Sequence, residues 1–229
     1  KDTDYDLKSG EGGVRYAPGT GIEVDLVYRA TSGEYKSAQR YGDDGSALLC
    51  NNNCRKNDYD EDSLQARVQY RPSEDSSLGG FVGYTRRDYD QGNRNFRGLT
   101  TGFDTEWAVS GAVQMRASLG RSIEPDDDAV TGSYADTWSL NFSPTIQATG
   151  KITVEPYLRL YDRRYKGDQL AAGQVERKDK IYMVGAEADY EFRRNMFLMA
   201  SISREQRDSN RANLDYKANV FGLGLKVQF

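Results

Sequence analysis

Apolar and polar residues alternate at every second position through nearly the whole chain, and no other feature restricts its fold as much. In the carboxy-terminal FGLGLKVQF, Phe221, Leu223, Leu225, Val227 and Phe229 share one face of an extended strand. Gly222, Gly224, Lys226 and Gln228 share the other. The same period returns upstream. In IEVDLVYRA, Ile22, Val24, Leu26, Tyr28 and Ala30 oppose Glu23, Asp25, Val27 and Arg29; in LQARVQYR, Leu64, Ala66, Val68 and Tyr70 oppose Gln65, Arg67, Gln69 and Arg71. WSLNFSPTI sets Trp138, Leu140, Phe142, Pro144 and Ile146 against Ser139, Asn141, Ser143 and Thr145. Helical 3.6-residue periodicity nowhere competes.

Strand and turn signals place about eleven strands, roughly at 4–17, 22–35, 60–73, 77–91, 97–110, 111–126, 134–149, 152–168, 178–194, 195–210 and 215–229. Many exceed the five or six residues usual in globular strands. Such length suits a tilted strand that crosses a bilayer and continues beyond it. The face opposite the apolar one carries Arg, Glu, Asp, Gln, Asn and Tyr. A soluble up-and-down barrel would turn the apolar face inward and fill its centre with larger residues, whereas a wet lumen accommodates these charges. Mean hydropathy of -0.79 agrees with a chain whose apolar residues form one thin outer layer. The expected fold is all-β: a transmembrane antiparallel up-and-down β-barrel, one domain over residues 1–229, in the bacterial outer membrane.

The connections support this. Tight turns fall at APGTG (17–21), RPSEDS (71–76), VSGA (109–112), ATGK (148–151) and FRRNM (192–196), and longer polar links at 36–60, 91–97, 126–133, 168–178 and 209–215. Short periplasmic turns alternating with longer external loops are the habit of outer-membrane barrels. Such barrels carry an even number of strands with both termini periplasmic, so an odd count makes this chain the expected carboxy-terminal part of a larger barrel that has one or more further strands. The 36–60 link is then an extracellular loop.

Several chemistries drop out. The chain has no histidine, which removes Ser-His-Asp triads and His-ligated metals. A net charge of -4 with no one-signed run indicates no nucleic-acid surface. No run of about eighteen apolar residues is present for a transmembrane helix. Cys50 and Cys54, in LLCNNNCRKN, are spaced to close a small disulfide ring suited to an oxidising compartment; two free thiols are the alternative, and no further Cys or His completes a metal site. EPDDDAVTG at 124–132 lacks the spaced oxygens and closing Glu of an EF-hand and reads as a solvated loop. No cofactor and no catalytic pair stands out among the many carboxylates.

The inward, pore-lining set on this register is Arg67, Arg71, Arg87, Asp104, Glu106, Arg116, Glu155, Tyr157, Arg159, Tyr161, Arg163, Glu187, Asp189, Glu205 and Arg207. Aromatic faces suit sugar C–H groups, while Arg and carboxylates hydrogen-bond hydroxyls. Cross-strand Arg/Glu ladders that simply satisfy one another are the structural alternative. Arg clustering in YTRRDYD and LYDRRYKGD would bias the mouth toward anionic solutes. Outward Tyr28, Tyr70, Tyr84, Trp107, Trp138 and Tyr190 are expected as interfacial girdles.

Four hairpins share a grammar: VRYAPGTGIEVDLVYRATSGEY, VQYRPSEDSSLGGFVGYTRRDYD, LNFSPTIQATGKITVEPYLRLYDRRYKGD and ADYEFRRNMFLMASISREQRDSN. Each runs from an aromatic with Pro or Arg, through a small turn, to an alternating strand ending in charge. GYTRRDYD at 83–90, SISREQRDSN at 201–210 followed by DYKANVFGLGLKVQF, and ATGK before a strand resemble the EpsL-like outer-membrane β-barrel porins of exopolysaccharide and capsule operons. The resemblance covers nearly the whole chain and implies passage of a secreted polysaccharide through the outer membrane without enzymatic chemistry, alongside periplasmic export components. Phe229 resembles the signal read by the outer-membrane assembly machinery. A general diffusion porin, or a structural or adhesive barrel acting through its external loops, are the other readings. CNNNC is not a mark of that family.

Overall fold

The computed structural model describes residues 5–35, 40–41, 47–48, 58–89, 95–125, 134–166 and 175–227. Its strands are β1 (Tyr5–Tyr16), β2 (Ile22–Tyr35), β3 (Arg40–Tyr41), β4 (Ala47–Leu48), β5 (Tyr59–Ser73), β6 (Ser76–Tyr89), β7 (Phe96–Ser110), β8 (Val113–Pro125), β9 (Tyr134–Thr149), β10 (Ile152–Lys166), β11 (Lys178–Arg193), β12 (Met196–Ser209) and β13 (Tyr216–Val227). All except β3 and β4 form one antiparallel sheet in chain order, with β1 and β13 at its edges. Only the β3–β4 ribbon, inside the 36–60 link, had no counterpart among the expected strands. The Cys50–Cys54 pair, Phe229 and most of EPDDDAVTG lie outside the described residues.

The hairpins at one end are tight: Ser73 faces Ser76, Ser110 faces Val113, Thr149 faces Ile152 and Arg193 faces Met196. Asn195 takes a positive φ of 62° to make the last of these. Every one of the four has a register shift beside its turn, which adds local twist. A shift also leaves a backbone donor without its ladder partner, and here the preceding hairpin supplies it. Arg71 N–H donates to the Gly21 carbonyl, Ala108 to Asp75, Gln147 to Ala112 and Glu191 to Lys151, each at 2.8 Å. The repeated hairpin grammar of the sequence is therefore a repeated joint, each turn latching onto the strand of the next hairpin.

Burial is inverted relative to a soluble domain. Leu140, Leu158, Leu223 and Leu225 are exposed, the last two at 85% and 63%. The most enclosed side chains are polar: Thr137 at 1% and Asp179 at 0%. Apolar surface this extensive is stable only against lipid. Tyr28, Tyr70, Tyr84, Trp107, Trp138 and Tyr190 all lie exposed on that face. They divide into a row near the short turns (Tyr70, Trp107, Tyr190) and a row toward the long links (Tyr28, Tyr84, Trp138). From Tyr190 to Tyr182, which joins the second row, is about 27 Å along the strand, near the height of a bilayer core once strand tilt is included.

The ladder between β9 and β10 is in register on both sides of a gap, Val154 with Ile146 and Leu158 with Phe142. That places Pro156 opposite Pro144. Proline has no N–H to give, and setting both at one facing pair confines the loss to a single site while β8–β9 and β10–β11 stay continuous.

Candidate functional site

The polar face is built by the same alternation that builds the lipid face, so every second residue of each strand reaches it. All fifteen sequence-predicted lining residues fall there. The registers align them across strands: Arg67 with Asp25, Asp104 with Gly79, Arg116 with Glu106, Arg159 with Met183, Glu187 with Glu155 and Glu205 with Met183.

Three zones differ in how their charges are satisfied. Toward the long links the groups are enclosed and closely paired. Asp179 accepts from Arg177 (Nη2 to Oδ2 2.6 Å) and from the Ser209 hydroxyl (2.7 Å), and its Oδ2 lies 3.3 Å from Arg207 Nε. Arg177 also stacks 4.1 Å over Tyr165. Arg163 reaches Glu124 at 3.5 Å, and the Tyr216 hydroxyl donates to Glu205. On the far side of the sheet Arg87, itself buried, pairs with Glu61 at 2.5 Å and stacks 4.5 Å over Tyr59.

The middle zone is open. β10 presents Glu155, Tyr157, Arg159, Tyr161, Arg163 and Tyr165 in succession, a row in which Tyr and Arg alternate over about 27 Å from Tyr157 to Tyr165. Arg159 lies 4.7 Å from the Tyr157 ring and Arg163 5.5 Å from the Tyr161 ring. Arg159 is exposed and makes no ion pair among the described residues. The Tyr157 ring covers Gly185, where a Cβ would sit 2.6 Å from its phenol oxygen, so this glycine makes room for the aromatic.

Toward the short turns the face is acidic. Glu155 and Glu187 are directly opposed, and Asp189 follows on β11. Among the described residues Glu155 accepts from the Thr145 hydroxyl, at 3.1 Å, and from no other side chain. Glu187, Asp189, Ser201 and Gly222 help line a hollow of about 260 Å³. Glu106 is an exception to this openness, being paired with Arg116 at 3.5 Å and bonded by Gln114. No cluster of three metal-ligating side chains forms among the described residues.

Two sequence expectations change in detail. Consecutive arginines cannot share a face of a strand. In YTRRDYD, Arg87 turns inward while Arg86 turns outward to Asp88 at 2.5 Å; in LYDRRYKGD, Arg163 is inward and Arg164 outward to Asp162 at 3.4 Å. The arginines that do reach the mouth are largely neutralised by Glu61, Glu124 and Asp179, whereas the mid-wall Arg159 makes no ion pair among the described residues; Arg67 also lacks one there and is held by Gln65. Sequence reasoning also missed Tyr165 and Asp179, which two-residue counting from Arg163 and Glu187 identifies, and Tyr216, which the lateral register sets opposite Arg207. Arg177 precedes β11 and carries no such signal.

An antiparallel up-and-down sheet with an apolar outer face, two aromatic rows and a charged inner face defines an outer-membrane β-barrel protein. The match to a family follows the same lines: the chain belongs to the family described as Putative beta-barrel porin 2, whose pattern matches residues 77–229. No curated protein matches it. Among solved structures it is similar to the copper transporter OprC, at 11% identity and a TM-score of 0.65, over 98% of this chain and 41% of that one. It is similar also to the FrpB iron transporter from Neisseria meningitidis (12%, TM-score 0.61, 96% and 39%) and to the alcaligin receptor FauA from Bordetella pertussis (15%, TM-score 0.56, 95% and 41%). At these identities the likeness is of fold alone. The chain spans about two fifths of the length of those structures.

Proposed function

We propose that the chain is the wall of an outer-membrane channel that exports a secreted polysaccharide, as its resemblance to the EpsL-like porins of exopolysaccharide and capsule operons implies. The observation that carries the reading is the Tyr157–Arg159–Tyr161–Arg163–Tyr165 row on β10. The phenol rings of Tyr157 and Tyr161, four residues or about 13 Å apart, offer stacking faces at intervals along a sugar chain. Arg159 between them, without an ion pair among the described residues, offers charged donors to hydroxyls or carboxylates. Repeated weak contacts let a polymer slide, whereas one tight site would hold it. The wall guides and does no bond chemistry, the polymer entering past the acidic end and leaving past the long links. Partners on this reading are outer-membrane lipid, the polysaccharide, periplasmic export components, and the assembly machinery through Phe229.

Single-channel conductance in planar bilayers tests it. An exporter shows small or closed currents that added anionic polysaccharide blocks, with the block relieved in Tyr161→Ala. Large, steady currents indifferent to polysaccharide would replace it with a general diffusion porin. Absence of conductance together with loop-dependent binding would make the barrel an adhesive one.

A further inference from the structure

The outward face also carries a built feature that channel function does not require. A groove of about 240 Å³ runs along the lipid side of β8 to β11, with Leu119, Leu140 and Leu160 as its floor and Trp138 and Tyr182 beside them. Its polar end is Asp162 and Lys180. Just beyond, the same outward positions turn cationic: Arg164 on β10 faces Lys178 on β11, and Lys180 follows two residues along. The carboxylates of Asp162 and Asp208 lie among them, each directly opposite Lys180. Even so, neither Lys178 nor Lys180 has an ion-pair partner among the described residues, and both are exposed. At the short-turn end the corresponding outward positions, Tyr190, Phe192, Leu198 and Leu225, remain apolar.

Unpaired cations on a lipid-facing wall, set directly above an apolar furrow, are complementary to an amphiphile whose head is anionic. We infer that this groove and its cationic crest form a binding site for one phosphorylated lipid of the outer leaflet. An acyl chain lies along Leu119, Leu140 and Leu160, and the phosphate is held by Lys178 and Lys180. Trp138 and Tyr182 sit at the depth where chain meets headgroup, the position that amphipathic rings prefer. The assignment to the outer leaflet rests on the short turns being periplasmic; the site itself is independent of what passes through the lumen.

The test is native mass spectrometry of the purified protein with bisphosphorylated lipid A, fully dephosphorylated lipid A or phosphatidylcholine added in detergent. Retention of the bisphosphorylated lipid is expected, falling about tenfold or more in the double variant Lys178→Gln, Lys180→Gln. A second variant, Leu140→Trp, fills the groove without touching charge and weakens the same lipid. Single-channel conductance of the double variant stays at the wild-type value and doubles as the check that it is folded, so failure of the lipid site and of the channel reading separate. Equal retention of the dephosphorylated lipid, undiminished retention by the double variant, or displacement by millimolar inorganic phosphate despite an intact groove would each overturn the inference.

Discussion

Replacing Asp179 by Asn should be the most damaging conservative change in the sheet. The carboxylate is fully enclosed, and Arg177 (6% exposed) and Arg207 (22%) both aim at its Oδ2, from 2.6 and 3.3 Å. Asn keeps the volume and removes the charge that holds two guanidinium groups together. At these separations each attraction is worth about 5–6 kcal/mol with a protein-like dielectric near 20, less the cost of desolvating the ions. Measured losses of one partner from a buried pair are about 3–5 kcal/mol, and that is the expected loss here. Guanidinium-induced unfolding in phospholipid vesicles reads it, because Trp107 and Trp138 both face lipid and shift their emission on leaving it. Asp189→Asn is the matched control: same strand, same face, no cation beside it, and an expected change within about 0.5 kcal/mol. Adding Arg207→Gln to Asp179→Asn should restore part of the loss by removing one of the two stranded charges. A loss below about 1 kcal/mol, or a double variant weaker than the single one, would refute the reasoning.

Two further changes probe the faces and the row. Leu158→Arg, on the lipid side, should cost about 2–4 kcal/mol in the same unfolding experiment, while Ser201→Arg, inward beside Glu187, should change stability by no more than about 0.5 kcal/mol; equal costs would undo the two-face assignment. Gly185→Ala should displace the Tyr157 ring and cost about 1–3 kcal/mol through overpacking, and an unchanged conductance would show that Tyr157 does not border the path.

The strands were legible almost to the residue. Strand β9 was expected over 134–149 and spans Tyr134–Thr149, because a face exposed to lipid and a face exposed to water leave a strict period that burial in a mixed core would blur. A shared polar face followed from the same count, which is why Glu155 through Arg163 could be set on one side of β10. What escaped was pairing. Alternation puts Arg164 on the face of Asp162, but nothing in LYDRRYKGD tells that Arg163 meets Glu124, since that depends on the lateral register between strands. Nor could the sequence show that Arg177, in a link, folds back onto Asp179. The Pro144–Pro156 facing pair was equally hidden: each proline alone reads as an unwelcome residue in a central strand, and only their opposition explains why both are tolerated.

The three inner zones follow from the demands on a polar wall without a hydrophobic core. Lipid-facing leucines make few contacts with one another across the wall, so lateral order must come from backbone ladders and from side chains on the wet face. Where ladders end, at the long-link rim, cross-strand ion pairs continue the joint: Glu61 to Arg87, Glu124 to Arg163, Asp179 to Arg207. A group committed to such a pair has no charge left to offer a ligand. Below the rim the ladders are complete and the side chains need not hold strands together, which leaves Arg159 midway down, and Glu187 and Asp189 toward the short turns, without an ion pair among the described residues. Charge reversal at Arg159 should therefore shift ion selectivity toward cations with little effect on unfolding, while reversal at Arg87 should unfold the rim first. A matching selectivity shift at both positions, read as reversal potential under a salt gradient, would mean that rim and mid-wall do not divide the labour in this way.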